Sequence, residues 1–441
     1  MHAGGRGRSL TAMDSPGSPR TADELEERAV PHTYLFALTD AGGTVPPELG
    51  VVRRLVERGH RVTVLADESM ADQVHRTGAA YERSTAHDIG EFRDWELTTP
   101  TSQARAMADH MIIGPAPGQA ADTVAAIDAA RPDLVVTSFF GIGAMIGAES
   151  SGIPFDVLIP NVYTLPARGM PPLGAGMSPA RGPLGRLRDR VANAAITRIL
   201  DRYALERANT IRAEYGLDPI AHTWDQMRRA RRQLVLTSPA FDFPAELPDS
   251  VRYVGPILDD PVWADDATWT APAGEGPLVL VAMSSTFQNH VECLQRITDA
   301  LGGLPVRGLV TTGPAVGPDE IRAPANVAVV ASAPHSRVLA EADLVVTHGG
   351  HGTVIKTLAA GVPLVILHHG RDQGDNAVRV ATRGAGIAVS RRAPSPRIAK
   401  AVTTVLDDPS YRQAAARLGR SIQQDVAGSA LLDELELREH G

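Results

Sequence analysis

Short continuous apolar blocks alternate along this chain with longer stretches whose apolar positions recur at three- and four-residue spacing. The blocks at residues 34–39, 61–66, 154–159, 233–237, 251–254, 278–283, 306–310, 327–330, 344–347 and 364–367 predict strands. The block at 278–283 is unbroken, as in a strand buried on both faces of a parallel sheet. Helical spacing marks 48–58, where Leu49, Val52 and Val56 share a face with Val51 and Leu55 beside it. It also marks 101–130 as one or two helices broken at 114–118, and then 141–151, 291–301, 354–360, 372–382, 395–406 and 410–424. A long basic helix over 184–215 carries Leu187, Val191, Ala195, Ile199 and Tyr203 in one stripe. Strand and helix in alternation predict an α/β fold with parallel sheets.

The segments between these elements divide the chain. Residues 1–29 are rich in Gly, Ser, Pro and Arg and read as a disordered tail; their arginines precede no apolar core, so they are not a secretory signal. Residues 164–184, Pro/Gly-rich with Met170 and Met177, read as a mobile loop, and the Ala/Thr/Asp/Pro-rich stretch 264–276 as an interdomain linker. Two domains result, 30–263 and 277–424, with a last segment 425–441, and 441 residues suffice for both.

Composition narrows the function classes. Hydrophobic residues make up 43% and charged residues 21%, an ordinary globular balance. The net charge is −8 and the arginines are scattered, which argues against nucleic acid as a partner. The single cysteine, Cys293, excludes an intrachain disulfide and a thiolate metal cluster, fits a reducing cytoplasm, and reads as an inert core thiol. No apolar run is long enough to span a bilayer. The basic helix at 184–215 reads as a solvated face rather than a membrane contact.

The densest chemistry lies in residues 342–376. Strand 344–347 runs into His348-Gly349-Gly350-His351-Gly352-Thr353, a helix follows at 354–360, Gly361-Val362-Pro363 closes it, and strand 364–367 leads to His368-His369-Gly370-Arg371-Asp372-Gln373. In this βαβ unit the Gly-rich turn offers backbone N–H groups at a helix N-terminus, an anion site, with His348, His351 and Thr353 as further donors. A bare Gly-rich turn is as often plain architecture. HGGHGT followed by Asp372-Gln373 and then Asn376 is far more specific.

That combination resembles the C-terminal signature of family 1 glycosyltransferases, the UDP/dTDP-sugar-dependent enzymes of GT-B fold with two Rossmann-like domains facing a central cleft. The resemblance extends over nearly all of the chain after residue 30, toward the bacterial natural-product and macrolide type. It implies that the turn binds the donor diphosphate and that Asp372 and Gln373 hold the sugar hydroxyls. It places Ser285 or Thr286, after strand 278–283, on the far side of the diphosphate; an N-cap for the next helix is the plainer role. It places His335 in Ala333-Pro334-His335 near base and ribose, or simply in a turn. The nucleotide sugar is a substrate, and no cofactor is implied.

The first βα unit departs from the family. Alignment of 43–63 with the pattern GHVxPxLxLxxxLxxxGHxVT puts Thr44 where the family has its general-base histidine. Ser138, after Arg131-Pro132-Asp133-Leu134-Val135-Val136-Thr137, stands where an aspartate commonly orients that histidine. A threonine hydroxyl has no useful proton affinity near neutral pH. Asp40, four residues before Thr44, is the candidate base; capping its own turn is its plainer role. Alternatively the acceptor is itself acidic, or is a carbon or nitrogen nucleophile.

The resemblance thus implies an inverting transferase moving a hexose or deoxyhexose to a small hydrophobic natural-product-like acceptor. Metal-independent transfer is expected, because Asp242, Asp259-Asp260 and Asp265-Asp266 fall outside the expected cleft. The competing reading is a catalytically impaired auxiliary protein that binds a nucleotide sugar without transferring it. Monomer and homodimer both stay open.

Overall fold

The computed structural model describes residues 31–86, 93–97, 99–260, 269–284 and 286–436. The tail 1–29, Ser285, all of 261–268 in and before the expected linker (with Asp265-Asp266), and the end of the last segment lie outside the described residues.

The apolar blocks form two wholly parallel sheets. The first contains β1 (Thr33–Ala37), β2 (Arg61–Ala66), β3 (Ala80–Arg83), β4 (Leu134–Ser138), β5 (Phe155–Ile159), β6 (Arg232–Val235) and β7 (Val251–Tyr253), in the order β3-β2-β1-β4-β5-β6-β7. The second contains β8 (Leu278–Ala282), β9 (Arg307–Thr311), β10 (Val327–Val330), β11 (Leu344–Thr347), β12 (Leu364–Ile366) and β13 (Gly386–Ala388), in the order β10-β9-β8-β11-β12-β13. Alternate residues of each strand feed opposite layers. Leu35 and Ala37 pack among the helices on one face of the first sheet, and Tyr34 and Phe36 on the other. This double burial is why the strands read as unbroken apolar runs.

In each sheet the strand order reverses once, between β1 and β4 and between β8 and β11. Ligand crevices of open α/β sheets form at the carboxyl ends of such strands. The four strand ends lead into Thr39-Asp40, Ser138, Ser284 and His348.

Helices start earlier than their apolar spacing suggests. Helix Val45–Glu57 includes Pro46 and Pro47 in its first turn, where a fixed φ and a missing N–H cost nothing. Helix His351–Ala359 begins inside the glycine turn, with Gly350 as its N-cap residue.

Two expectations are corrected. In helix Gly182–Glu214 the buried stripe is Leu200, Ala204, Ala208 and Ile211, whereas Leu187 and Val191 are exposed. A helix of 33 residues is about 50 Å long and outruns the layer it packs on. The Pro/Gly-rich segment is not a free loop either. Met170 is buried with its sulfur 3.2 Å from the Arg379 guanidinium, Leu173 packs against the second half's core, and the Gly174 and Gly176 N–H groups both donate to the Asp375 carboxylate.

The chain end returns to the first sheet. Helix Ala430–Leu435 puts Leu431 and Leu435 into the Tyr34–Phe36 layer, and the Tyr34 hydroxyl donates to the Leu435 carbonyl at 2.9 Å. Glu434 accepts from Arg232 at 2.7 Å, and Glu436 from Arg58 at 2.6 Å.

Candidate active site

Gly349 sits at φ +95, and a Cβ there would lie 2.8 Å from Ile366 Cγ2 and 3.1 Å from the Gln373 carbonyl. Only glycine fits, and the turn can therefore fold tightly from β11 into helix His351–Ala359. His351, Gly352 and Thr353 occupy the first helical turn, whose N–H groups have no intrahelical partner. Asn376 fastens the turn from below, donating to the Gly349 carbonyl at 3.0 Å and to Asp372 at 2.8 Å.

The histidines of this region are neutral. Burial brings the His348 pKa down to about 3, and the charge His369 or His290 would carry if protonated pushes it the same way. Burial likewise lowers His369 to about 4 and depresses His351 and His290. His351 is buried with neither ring nitrogen partnered. His290 Nδ1 accepts the Gln288 N–H at 3.2 Å, which leaves Nε2 as a donor without a partner. His369 Nδ1 donates to the Leu367 carbonyl at 2.9 Å, which leaves its Nε2 as an acceptor without a partner. His335 sits apart, 3.2 Å from the Thr311 hydroxyl, and burial brings it to about 4.

Gln373 and Asp372 differ in availability. Gln373 is buried, and its amide accepts from the His369 and Gly370 N–H groups and donates to Gln288 at 2.8 Å. Gln288 in turn donates to Ser284 at 2.8 Å, tying the ends of β8 and β12 together. Asp372 is half-buried and receives only Asn376.

The two halves meet over this floor. Thr286, bonded to Ser284 at 3.1 Å, lies where a Cβ on Gly42 would stand 2.7 Å from its Cγ2. Arg371 donates to Thr286 at 3.2 Å and to Asp94 at 2.6 Å. Trp95 meets Phe287 edge-on at 5.2 Å.

On the first sheet's side, Thr44 is the N-cap residue of helix Val45–Glu57 and makes no capping bond through its hydroxyl. Asp40 is exposed, and its two oxygens accept from the Gly42 N–H at 3.0 Å and the Ser69 hydroxyl at 2.8 Å. Ser138 accepts the Thr39 N–H at 3.2 Å. One helical turn beyond Thr44, Glu48 is 0% exposed. Asp242 is engaged in a buried pair with Arg379 at 2.7 Å; Asp259 is held by Arg53 and Arg54, and Asp260 by Lys356.

Sequence reasoning passed over Glu48, Gln288, His290, His369 and the Asp94–Arg371 pair. The doublet His368-His369 just before Asp372 was a usable signal; nothing in the sequence marks Gln288 or Asp94.

Over its length the chain is 33% identical to the 4'-demethylrebeccamycin synthase of Lentzea aerocolonigenes, across 92% of this chain and 98% of that protein. The chain is a natural-product glycosyltransferase. The family described as "Erythromycin biosynthesis protein CIII-like, C-terminal domain" matches residues 296–430 of this glycosyltransferase, the half that carries the glycine turn. Its GT-B fold is shared with the glycosyltransferase of kitacinnamycin, at TM-score 0.73 and 24% identity over 92% of this chain and 99% of that one. It is shared also with a spinosyn rhamnosyltransferase complexed with thymidine diphosphate, at TM-score 0.67 and 17% identity over 91% of this chain and 100% of that one.

Proposed function

We propose that this glycosyltransferase moves a hexose or deoxyhexose from a UDP- or dTDP-sugar to a small hydrophobic acceptor, with inversion and without a metal ion, in the cytoplasm. The observation that carries the reading is the glycine turn at the β8/β11 switch point. Its helix N-terminus and the neutral His348 face the space where a diphosphate would lie. Preorganised donors of this kind stabilise a leaving oxyanion by about 2.7–4 kcal/mol each in a site closed to water. Ser284 and Thr286 supply hydroxyls from the opposite strand end. Asp372, the more open member of the Asp-Gln pair, takes the sugar hydroxyls, while Gln373 keeps the turn in register. His335 lies toward the nucleoside. Inversion follows from direct attack: the acceptor oxygen bonds to the anomeric carbon as the bond to the diphosphate breaks. The spinosyn enzyme's thymidine diphosphate favours dTDP over UDP.

Calorimetry of UDP and dTDP, in the absence of metal, tests this. One nucleotide binds wild type in the micromolar range, and His348→Ala weakens it about tenfold, or ~1.4 kcal/mol. Failure of a folded wild type to bind either nucleotide would sink the proposal.

A further inference from the structure

Among the described residues, Glu48 is the least accounted-for charge-bearing group. It is 0% exposed, and among the described residues neither carboxyl oxygen is held in a closed hydrogen bond, the Ser138 hydroxyl being the one neighbouring group that favours its charge. Buried polar groups in native proteins are nearly always bonded, so an orphaned carboxyl calls for a reason. Its position supplies one. Glu48 lies in the first half of helix Val45–Glu57, and its N–H donates to the carbonyl of Thr44, the residue at the family's histidine position. The helix starts at the carboxyl end of β1, beside β4, at the crevice of the first sheet.

The polar groups bearing on Glu48 from the packed elements are Ser138, at the end of β4, and Asp40, in the turn after β1. The Ser138 hydroxyl favours the ionised carboxylate, and the Asp40 charge opposes it. Ser138 already accepts the Thr39 N–H at 3.2 Å. Its own proton is therefore free for Glu48, and its second lone pair is free for a proton arriving from the crevice. Asp40, by contrast, spends both oxygens on Gly42 and Ser69.

We propose that Glu48 takes the acceptor's proton, through the Ser138 hydroxyl, in place of the absent imidazole. The inference rests on the transferase reading above. In the transfer step the acceptor O–H bond breaks as its oxygen bonds to the anomeric carbon, and the diphosphate leaves with the electron pair of the old glycosidic bond. The acceptor proton passes to Ser138 Oγ, the Ser138 proton passes to the Glu48 carboxylate, and Glu48 later returns a proton to solvent. Burial raises the Glu48 pKa to about 8, giving this carboxyl the proton affinity that an ordinary one lacks for such work. Glu48 is a positioning residue in this scheme, since Ser138 is the group that meets the acceptor.

The test uses the full chain with its preferred nucleotide sugar and two acceptors the wild type turns over, an aliphatic alcohol and an acidic phenol such as 4-nitrophenol. Wild-type kcat/KM for the alcohol rises with pH to a plateau above about 8. Glu48→Gln is an isostere of the neutral acid; it loses at least a hundredfold with the alcohol, in line with general-base effects. It also loses the rising limb, but falls tenfold or less with the phenol, whose proton needs no acceptor. A uniform loss with both acceptors, or a Glu48→Gln enzyme with the wild-type rate and limb, overturns the proposal. Should Glu48→Gln fail to fold, Ser138→Ala carries the same test with the same expected and overturning results. A wild type that binds no nucleotide and transfers to neither acceptor overturns the transferase reading itself, which the nucleotide calorimetry registers separately.

Discussion

Arg371 and Asp94 form a two-pronged ion pair across the cleft, Nε to Oδ2 at 2.6 Å and Nη2 to Oδ1 at 3.1 Å. Arg371 holds this pose at φ +55, in the left-handed region that costs a non-glycine residue about 1–2 kcal/mol. A strained residue immediately before Asp372 keeps this turn in contact with the first half of the protein.

Substitution at Arg371 separates the strain from the ion pair. Arg371→Ala loses the pair and keeps the strain; Arg371→Gly loses both. The glycine variant is therefore the more stable by about 1 kcal/mol, read from denaturant midpoints at pH 7. Both variants open the cleft, and both raise KM for the donor more than they lower kcat. Equal midpoints for the two would mean that the left-handed pose stores no strain.

The buried histidines make the second half of the protein acid-sensitive. His348 titrates near 3 in the folded protein and near 6.5 when unfolded, so below 6.5 the unfolded chain binds more protons. Stability from this group is complete above pH 6.5 and is lost as pH falls toward 3, at about 1.4 kcal/mol per unit. Thermal unfolding at pH 7.0 and 5.5 shows the drop, and His348→Gln makes it smaller by about 1.4 kcal/mol. An unchanged slope in that variant would place the acid sensitivity elsewhere.

Glu48 has the opposite sign. Its folded pKa of about 8 lies above the ordinary carboxylate value, so the folded protein holds the extra proton between roughly 4.5 and 8. The cost of burying this group is absent below pH 4.5, grows as pH rises, and levels off above 8. Glu48→Gln removes that cost. The variant is more stable than wild type at pH 8 by a few kcal/mol and nearly equal to it at pH 4.5, by equilibrium denaturation. A residue that lowers stability at the working pH while serving turnover is a familiar trade in active sites.

The halves are joined by the buried Arg379–Asp242 pair, in which Asp242 also accepts from the Tyr163 N–H at 2.9 Å and the Tyr253 hydroxyl at 2.8 Å. Arg379 also stacks over Phe243 at 4.5 Å. Arg379→Met strands the carboxylate and costs about 3–5 kcal/mol. The double variant Arg379→Met with Asp242→Asn recovers part of the loss, as a double-mutant cycle in urea would show. Additive losses would mean that the two side chains are not coupled.

The sequence made the sheets and the glycine turn legible for physical reasons. Strands buried on both faces cannot hide their composition, and β11, buried along its whole length, falls where its apolar block lies. The glycine turn was legible because Gly349 has no substitute. The stripe Leu187-Val191-Ala195 misled, because periodicity reveals that a helix has an apolar face and not where the neighbouring layer stops. The loop around Met170 misled because its anchors are backbone N–H groups meeting Asp375, a contact with no signature in local composition. Glu48 was silent because an acid in the first turn of a helix is ordinarily a solvated partner of the helix dipole. Only its surroundings distinguish it.

The bond from the Tyr34 hydroxyl to the Leu435 carbonyl spans 401 positions of chain. The second residue of the first strand completes its layer with a helix made about 400 residues later. On the ribosome, the first half emerges long before Leu431 and Leu435 exist, and its Tyr34–Phe36 face stays uncovered meanwhile. Contacts of such long sequence separation form late and slowly. The waiting nascent chain is thus the species most exposed to aggregation or chaperone capture.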